Sequence, residues 1–287
     1  MERVTENVYA ATDIIGCNPG YVVTSDGCVV IDTPQLPTKA VELRERLLEK
    51  GPIRFVINTE HHIDHIFGNI YFEGVCPIVG HDHFLKLFGR VSSGEDLYDF
   101  TTELVKKNDP EGLVLLPSRE TLAVRLPTIT FTGRLTLRVG EHVFDIFNTP
   151  GHTRGQLAIH VPKERVLFVG DNIFCECQTW FQSADPDSWL RSLEFLETFD
   201  VDYIIPGHGP VCDKNYIKKQ SAFIRRWVTT VAEGIAQGWS KEECVRKINF
   251  LDQYPMDIGL DHLGPRVQKV NVENIFDFLQ GKTEKYG

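Results

Sequence analysis

Along the first hundred residues, short apolar runs rich in β-branched side chains alternate with stretches whose apolar positions recur at helical spacing. Tyr21-Val-Val-Thr24 and Cys28-Val-Val-Ile-Asp32 read as strands joined by the turn Ser25-Asp-Gly27. Residues 37–50 read as a helix, with Ala40, Leu43 and Leu47 on one face and Gly51 closing it. Arg54-Phe-Val-Ile-Asn58 and Cys76-Pro-Ile-Val-Gly80 are the next strands, the second leading into His81-Asp-His83. Helical stretches are expected around 84–90 and 95–108, followed by a Pro- and Leu-rich connector to residue 125.

Strand signals are densest in the next section: Ile129–Thr132, Leu135–Val139, Val143–Asn148, Gln156–Val161 and Arg165–Gly170. Asp185-Pro-Asp-Ser-Trp-Leu190 opens a helix with a capping carboxylate and a proline in the first turn, burying Trp189, Leu193 and Leu196. Tyr203-Ile-Ile-Pro206 is a final strand, and residues 214–280 read as mostly helical. Repeats and flexible linkers are absent from the pattern. It predicts one compact α/β domain over residues 1–287, with a core of about 1–213 and C-terminal helices over 214–287.

Composition alters this picture little. Of the 287 residues, 42% are hydrophobic and 24% charged, as in ordinary globular proteins. A net charge of −10 disfavours a role in tracking nucleic-acid backbones. The seven cysteines are scattered and include no C-x-x-C pair, which points to thiols in a reducing compartment. The first residues lack the basic and apolar blocks of a signal peptide, and no apolar run is long enough to span a bilayer. A cytoplasmic protein without membrane or nucleic-acid partners is therefore expected, acting on a small molecule. Oligomeric state is not legible.

Candidate chemistry is concentrated in Asn58-Thr-Glu-His-His-Ile-Asp-His65. If residues 58–62 are extended, Glu60 and His62 project to one side and His61 to the other. Asp64 and His65 follow from the turn that starts the next helix, so four ligand groups can face two adjacent cations. Three more fragments place a potential ligand just after a strand: Asn148-Thr-Pro-Gly-His152-Thr-Arg-Gly155, Leu167-Phe-Val-Gly-Asp171-Asn172 and Ile204-Ile-Pro-Gly-His208-Gly-Pro210.

In order and spacing these four fragments resemble the metallo-β-lactamase superfamily, with its T-H-x-H-x-D-H signature, T-P-G-H-T turn, G-D and P-G-H-G. The resemblance runs from about residue 8 to residue 212 and implies a four-layer αββα sandwich with a helical C-terminal extension. It also implies two divalent metal ions. One would be held by His62 and His152, with Glu60 at the family's first histidine position. The other would be held by Asp64, His65 and His208, with Asp171 bridging both. Histidine and carboxylate ligands suit zinc; Glu60 adds a negative charge, hardens the site towards iron or manganese and weakens water activation. Glu60 could instead fall short of the metal and leave the site effectively mononuclear.

The resemblance implies hydrolysis of a small lactone, ester, thioester or β-lactam-like amide by a metal-bridging hydroxide, with Asp64 and Asp171 as catalytic residues. A di-iron, oxygen-activating redox enzyme and a non-catalytic binding protein are the alternatives from other classes. Around the motifs, His61 reads as an outward or supporting imidazole, and His81 and His83 as an H-x-H pair for which the sequence offers no further metal ligands. Cys175 and Cys177 read as buried thiols. Trp180, Phe181 and Phe67 are candidates for either pocket or core.

Overall fold

Every residue of the strand Gly27–Ile31 is buried, so both of its faces must be covered by other layers. The computed structural model, which describes residues 1–86 and 96–282, shows how. Cys28 and Val30 pack with Leu43 and Leu47 of helix α1 (Pro37–Lys50), whereas Val29 and Ile31 pack against a second sheet. This alternation of side chains across a strand turns one sequence run into the contact surface for two layers.

The first sheet has seven strands in chain order: β1 (Glu2–Arg3), β2 (Val8–Ala10), β3 (Gly20–Thr24), β4 (Gly27–Ile31), β5 (Ile53–Ile57), β6 (Ile78–His81) and β7 (Ile129–Phe131). Pairing is antiparallel through β4 and parallel from β4 to β7. The second sheet has five, β8 (Arg134–Val139), β9 (His142–Asn148), β10 (Leu157–Val161), β11 (Val166–Phe174) and β12 (Tyr203–His208), in the order β12-β11-β10-β9-β8. Only β11 and β12 are parallel there.

Between the sheets lies a core of Val8, Val22, Ile57 and Val79 against Phe144, Ile146, Ile159 and Phe168. The outer face of the second sheet is covered by α4 (Pro186–Leu196), α5 (Asn215–Ala236), α6 (Lys241–Lys247) and α7 (Gly264–Leu279), which bury Trp189, Trp227 and Ile275. The order of layers is therefore helix, sheet, sheet, helix, the expected αββα sandwich. At the start of α4 the Asp185 carboxylate accepts from Ser188 N at 2.9 Å, with Pro186 in the first turn as the sequence predicts.

Several expectations need correction. The short strands β1, at the sheet edge, and β2 beside it carry no alternation strong enough to be seen in sequence. The strand expected to end at Gly170 continues to Phe174, because β11 stays paired to β12 across two register shifts. Residues 248–260 interrupt the expected C-terminal helical run. Over 84–90, a 3-10 turn covers Asp82–Lys86, and the remainder lies outside the described residues. The helix expected over 95–108 is α3 (Leu97–Asn108), and a 3-10 turn at Pro110–Leu115 breaks the connector behind it. Among the described residues, no helix is long and apolar enough to cross a membrane.

Candidate metal centre

The parallel strands of both sheets end at one edge of the sandwich, where α/β folds commonly gather their functional loops. From β5 the chain runs through Asn58-Thr59-Glu60 into the four-residue helix α2 (Ile63–Ile66). Thr59 O accepts from Leu157 N at 2.7 Å, which ties this loop to the second sheet. His152 comes from the turn between β9 and β10, Asp171 from within β11, and His208 from the last residue of β12.

Asp171 reaches the site because of a bulge. Gly170 has φ +49°, a left-handed conformation that glycine adopts freely, and a side chain there would collide with Gln156 and Thr59. Opposite, Gly207 lets the Asp171 carboxylate approach the backbone of β12 so closely that any Cβ would strike Oδ1.

All seven residues singled out in the sequence converge. Glu60, His62, His152 and Asp171 place donor atoms within 4.8 Å of one another, and Asp64, His65 and His208 form a second such group. Asp171 faces both: Oδ2 lies 3.4 Å from His152 Nε2, while Oδ1 lies 3.1 Å from His65 Nε2 and 3.5 Å from His208 Nε2. Glu60 does not fall short of the cluster. Its Oε2 is 2.6 Å from His62 Nδ1, and its Oε1 is 3.6 Å from both His65 Nε2 and His152 Nε2.

Burial makes these contacts demanding. Glu60 and His65 are fully buried, yet Glu60 Oε1 and Oε2, His65 Nε2 and Asp171 Oδ1 have no hydrogen-bond partner. Even the 2.6 Å approach of Glu60 to His62 lacks hydrogen-bond geometry. Orphaned buried acceptors cost about 1–3 kcal/mol each, more when charged. Imidazole nitrogens and carboxylate oxygens aimed at common points are the donor set of zinc, iron and manganese sites, so the residues present fit divalent cations. Burial opposes ionisation of Asp171, but His208 and His65 outweigh it and hold its pKa well below the usual carboxylate range. Asp64 is likewise lowered to about 2, against burial, by His65 and His208.

The structure adds residues that the sequence did not reveal. Asp32 accepts from Thr59 N at 2.7 Å and from Thr59 Oγ1 at 2.6 Å, and its Oδ2 lies 2.9 Å from His65 Nδ1. Asp257, in the non-helical stretch before α7, places Oδ2 at 2.7 Å from His208 Nδ1. The carbonyl of Trp180 holds His152 Nδ1 at 2.9 Å, and Gln182 Nε2 lies 3.3 Å from His62 Nε2. Such outer partners orient imidazoles and set their tautomers. Asp32 carried a faint signal, an acid closing an apolar strand; here it stands at φ +55°.

The remaining candidates sort plainly. His61 is buried rather than outward, its ring 4.7 Å from that of His62 and 6.2 Å from that of Phe84. His81 and His83 gather no third ligand-type side chain among the described residues, and His83 N donates to His81 Nδ1. Cys175, Cys177, Phe181 and Phe67 are core residues, whereas Trp180 lines the cavity over the site. That cavity, about 580 Å³, has His62, Asp64, His152, Asp171 and His208 at its base.

A family model for the metallo-beta-lactamase superfamily matches residues 13–208, and the chain belongs to that superfamily. It is 28% identical to hydroxyacylglutathione hydrolase of Thermosynechococcus vestitus over 289 residues, which cover 92% of this chain and 97% of the relative. It is 22% identical to linear primary-alkylsulfatase of a Pseudomonas species over 257 residues, covering 78% of the chain and 48% of the relative. A 66-residue stretch is 41% identical to beta-lactamase-like protein 2 homolog of Caenorhabditis elegans, covering 23% of the chain. The matches thus span only 48% of the alkylsulfatase and 22% of the beta-lactamase-like protein 2 homolog. The structure resembles a metallo-beta-lactamase from Pontibacter korlensis with a TM-score of 0.59 at 18% identity, covering 78% of this chain and 97% of that one, which shows the shared fold.

Proposed function

We propose that this chain is a metal-dependent hydrolase of small acyl substrates, with two adjacent metal positions. Glu60, His62 and His152 would hold one, Asp64, His65 and His208 the other, and Asp171 would serve both. The observation that carries this reading is the division of Asp171, whose two carboxylate oxygens face different histidine groups. The hydrolase relative that matches along nearly its whole length supports it. When bound, divalent cations supply Lewis acidity and make water a usable nucleophile near neutral pH.

The protein's own groups do the rest. The side chain of Asp64 is 24% exposed, whereas Glu60 and Asp171 are buried, so Asp64 alone among the three carboxylates opens substantially to the cavity. It is placed to accept a proton from the attacking water and to return one to the leaving group. Ile63, Phe100 and Trp180 line the cavity and limit water around the reacting bond. Glu60 adds an anionic donor where the superfamily pattern has a neutral imidazole. This makes the site harder, tilting its preference from zinc towards iron or manganese, and makes water less acidic.

The test is turnover by metal-replete protein of a panel of lactones, oxoesters, thioesters and β-lactam amides, with elemental analysis of the natively purified chain. Metal-dependent hydrolysis of at least one class, lost in Asp171→Ala, is expected. Absence of turnover across the panel would overturn the reading, and iron without hydrolysis would favour the oxygen-activating alternative.

A further inference from the structure

Two segments that the superfamily motifs do not explain form the upper walls of the cavity. From α3 come Phe100, Leu104 and Lys107; from the stretch between residue 259 and the first turn of α7 come Leu260, Leu263 and Arg266. A volume of about 580 Å³ suits a ligand well beyond the size of the reacting bond.

The charges at this mouth are unevenly satisfied. Asp96 and Asp99 both pair with Arg119, and Glu103 pairs with Lys106 at 2.6 Å. Lys107 and Arg266 also line the cavity, are exposed, and make no ion pair among the described residues. The three acids of the rim thus share two cations outside the cavity, and with Lys107 and Arg266 counted the rim carries a formal charge of +1. This runs against the chain's overall charge of −10. Cations free of an ion pair next to an apolar wall attract an anion attached to an apolar body, and a guanidinium is suited to two-point contact with carboxylate, phosphate or sulfate oxygens.

We infer that the site takes an amphiphilic anion: an apolar body lies between Phe100 and Leu104 of α3 and Leu260 and Leu263 of the C-terminal segment, and an oxyanion group is held by Lys107 and Arg266. This deepens the proposed hydrolase reading and rests on it for the reaction. The subsite itself is defined by residues outside the metal cluster. The long substrate lies with its bond to be cleaved at the base and its anionic group at the mouth, so the two rim cations set affinity and leave the chemical step unchanged.

Binding calorimetry below micelle-forming concentrations tests this, using decanoate, decyl phosphate, decyl sulfate, decanol and decyltrimethylammonium on the full chain. Each anion is expected to bind at least about tenfold more tightly than decanol, and the cationic amphiphile more weakly than either. The order among the three anions distinguishes carboxylate, phosphate and sulfate as the group recognised. In Lys107→Ala/Arg266→Ala the preference should shrink to within about twofold, and in Lys107→Glu/Arg266→Glu it should invert. Both positions are exposed, so an unchanged unfolding midpoint is expected and shows that the variants fold.

Three results overturn the subsite: equal binding of anion and alcohol, no binding of any amphiphile, or an anion preference that survives the double substitution. The last would place the anion on the metal cluster. Because calorimetry needs no turnover, a chain that prefers anions yet hydrolyses nothing keeps the subsite and loses the reaction. A chain that hydrolyses neutral and anionic esters alike keeps the reaction and loses the subsite.

Discussion

The two halves of the cluster support their imidazoles by different means. Around Asp64, His65 and His208, each histidine has a buried carboxylate behind it: Asp32 at 2.9 Å from His65 and Asp257 at 2.7 Å from His208. Around Glu60, the outer partners are neutral, the Trp180 carbonyl for His152 and the Gln182 amide for His62. Each half has an acid among its donors, Asp64 or Glu60, but only the first has acids behind its imidazoles as well. The difference teaches that two halves of one cluster can place their negative charge at different depths. A carboxylate behind an imidazole makes that imidazole a stronger donor, whereas a carboxylate among the donors changes which cation is preferred.

Removing the one residue common to both halves should have the largest effect. Asp171→Ala is expected to abolish retention of metal in both positions after dialysis and to lower turnover by about 100-fold or more, the scale of losing a principal electrostatic group. Retention of one full metal equivalent would show that the halves do not share it.

Asp32→Asn and Asp257→Asn probe the half with charged outer partners. Each should weaken one metal equivalent by about 10–100-fold and leave the other unchanged, as read by competition with a chelator. Equal weakening of both equivalents would erase the distinction between the halves.

Glu60→His restores a neutral donor and should act more gently. One negative charge fewer lets the bound cations acidify water more strongly. The acid limb of the turnover profile should therefore move to lower pH, by roughly one unit, with zinc gaining over iron and manganese. A shift to higher pH would have the wrong sign for this account. Smallest of all, Gln182→Ala removes a neutral partner from His62 and should cost about 0.5–1.5 kcal/mol in metal binding, less than either outer carboxylate.

Much of the site was readable because its candidate ligands are local. Glu60, His62, Asp64 and His65 fall within six consecutive positions, and His152 and His208 sit beside glycines that mark their turns. The layers were readable for a similar reason: alternation in Cys28-Val-Val-Ile31 declares two faces, and helical spacing in α1 declares one. Harder to see were β1 and β2, strands of two and three residues without a periodic pattern long enough to register.

The chain by itself therefore determined which residues would be candidate ligands and that strands would deliver them, since both follow from short-range spacing. Tertiary structure decided everything that depends on distant segments meeting. Asp32 lies 33 positions from His65, Asp257 lies 49 from His208, and Gln182 lies 120 from His62, so no local pattern couples them. The continuation of β11 past Gly170 was settled by its pairing with β12, and the rim cations by the meeting of α3 with α7 over one cavity. Periodicity dictates which way a side chain points, but packing between remote elements dictates what it points at.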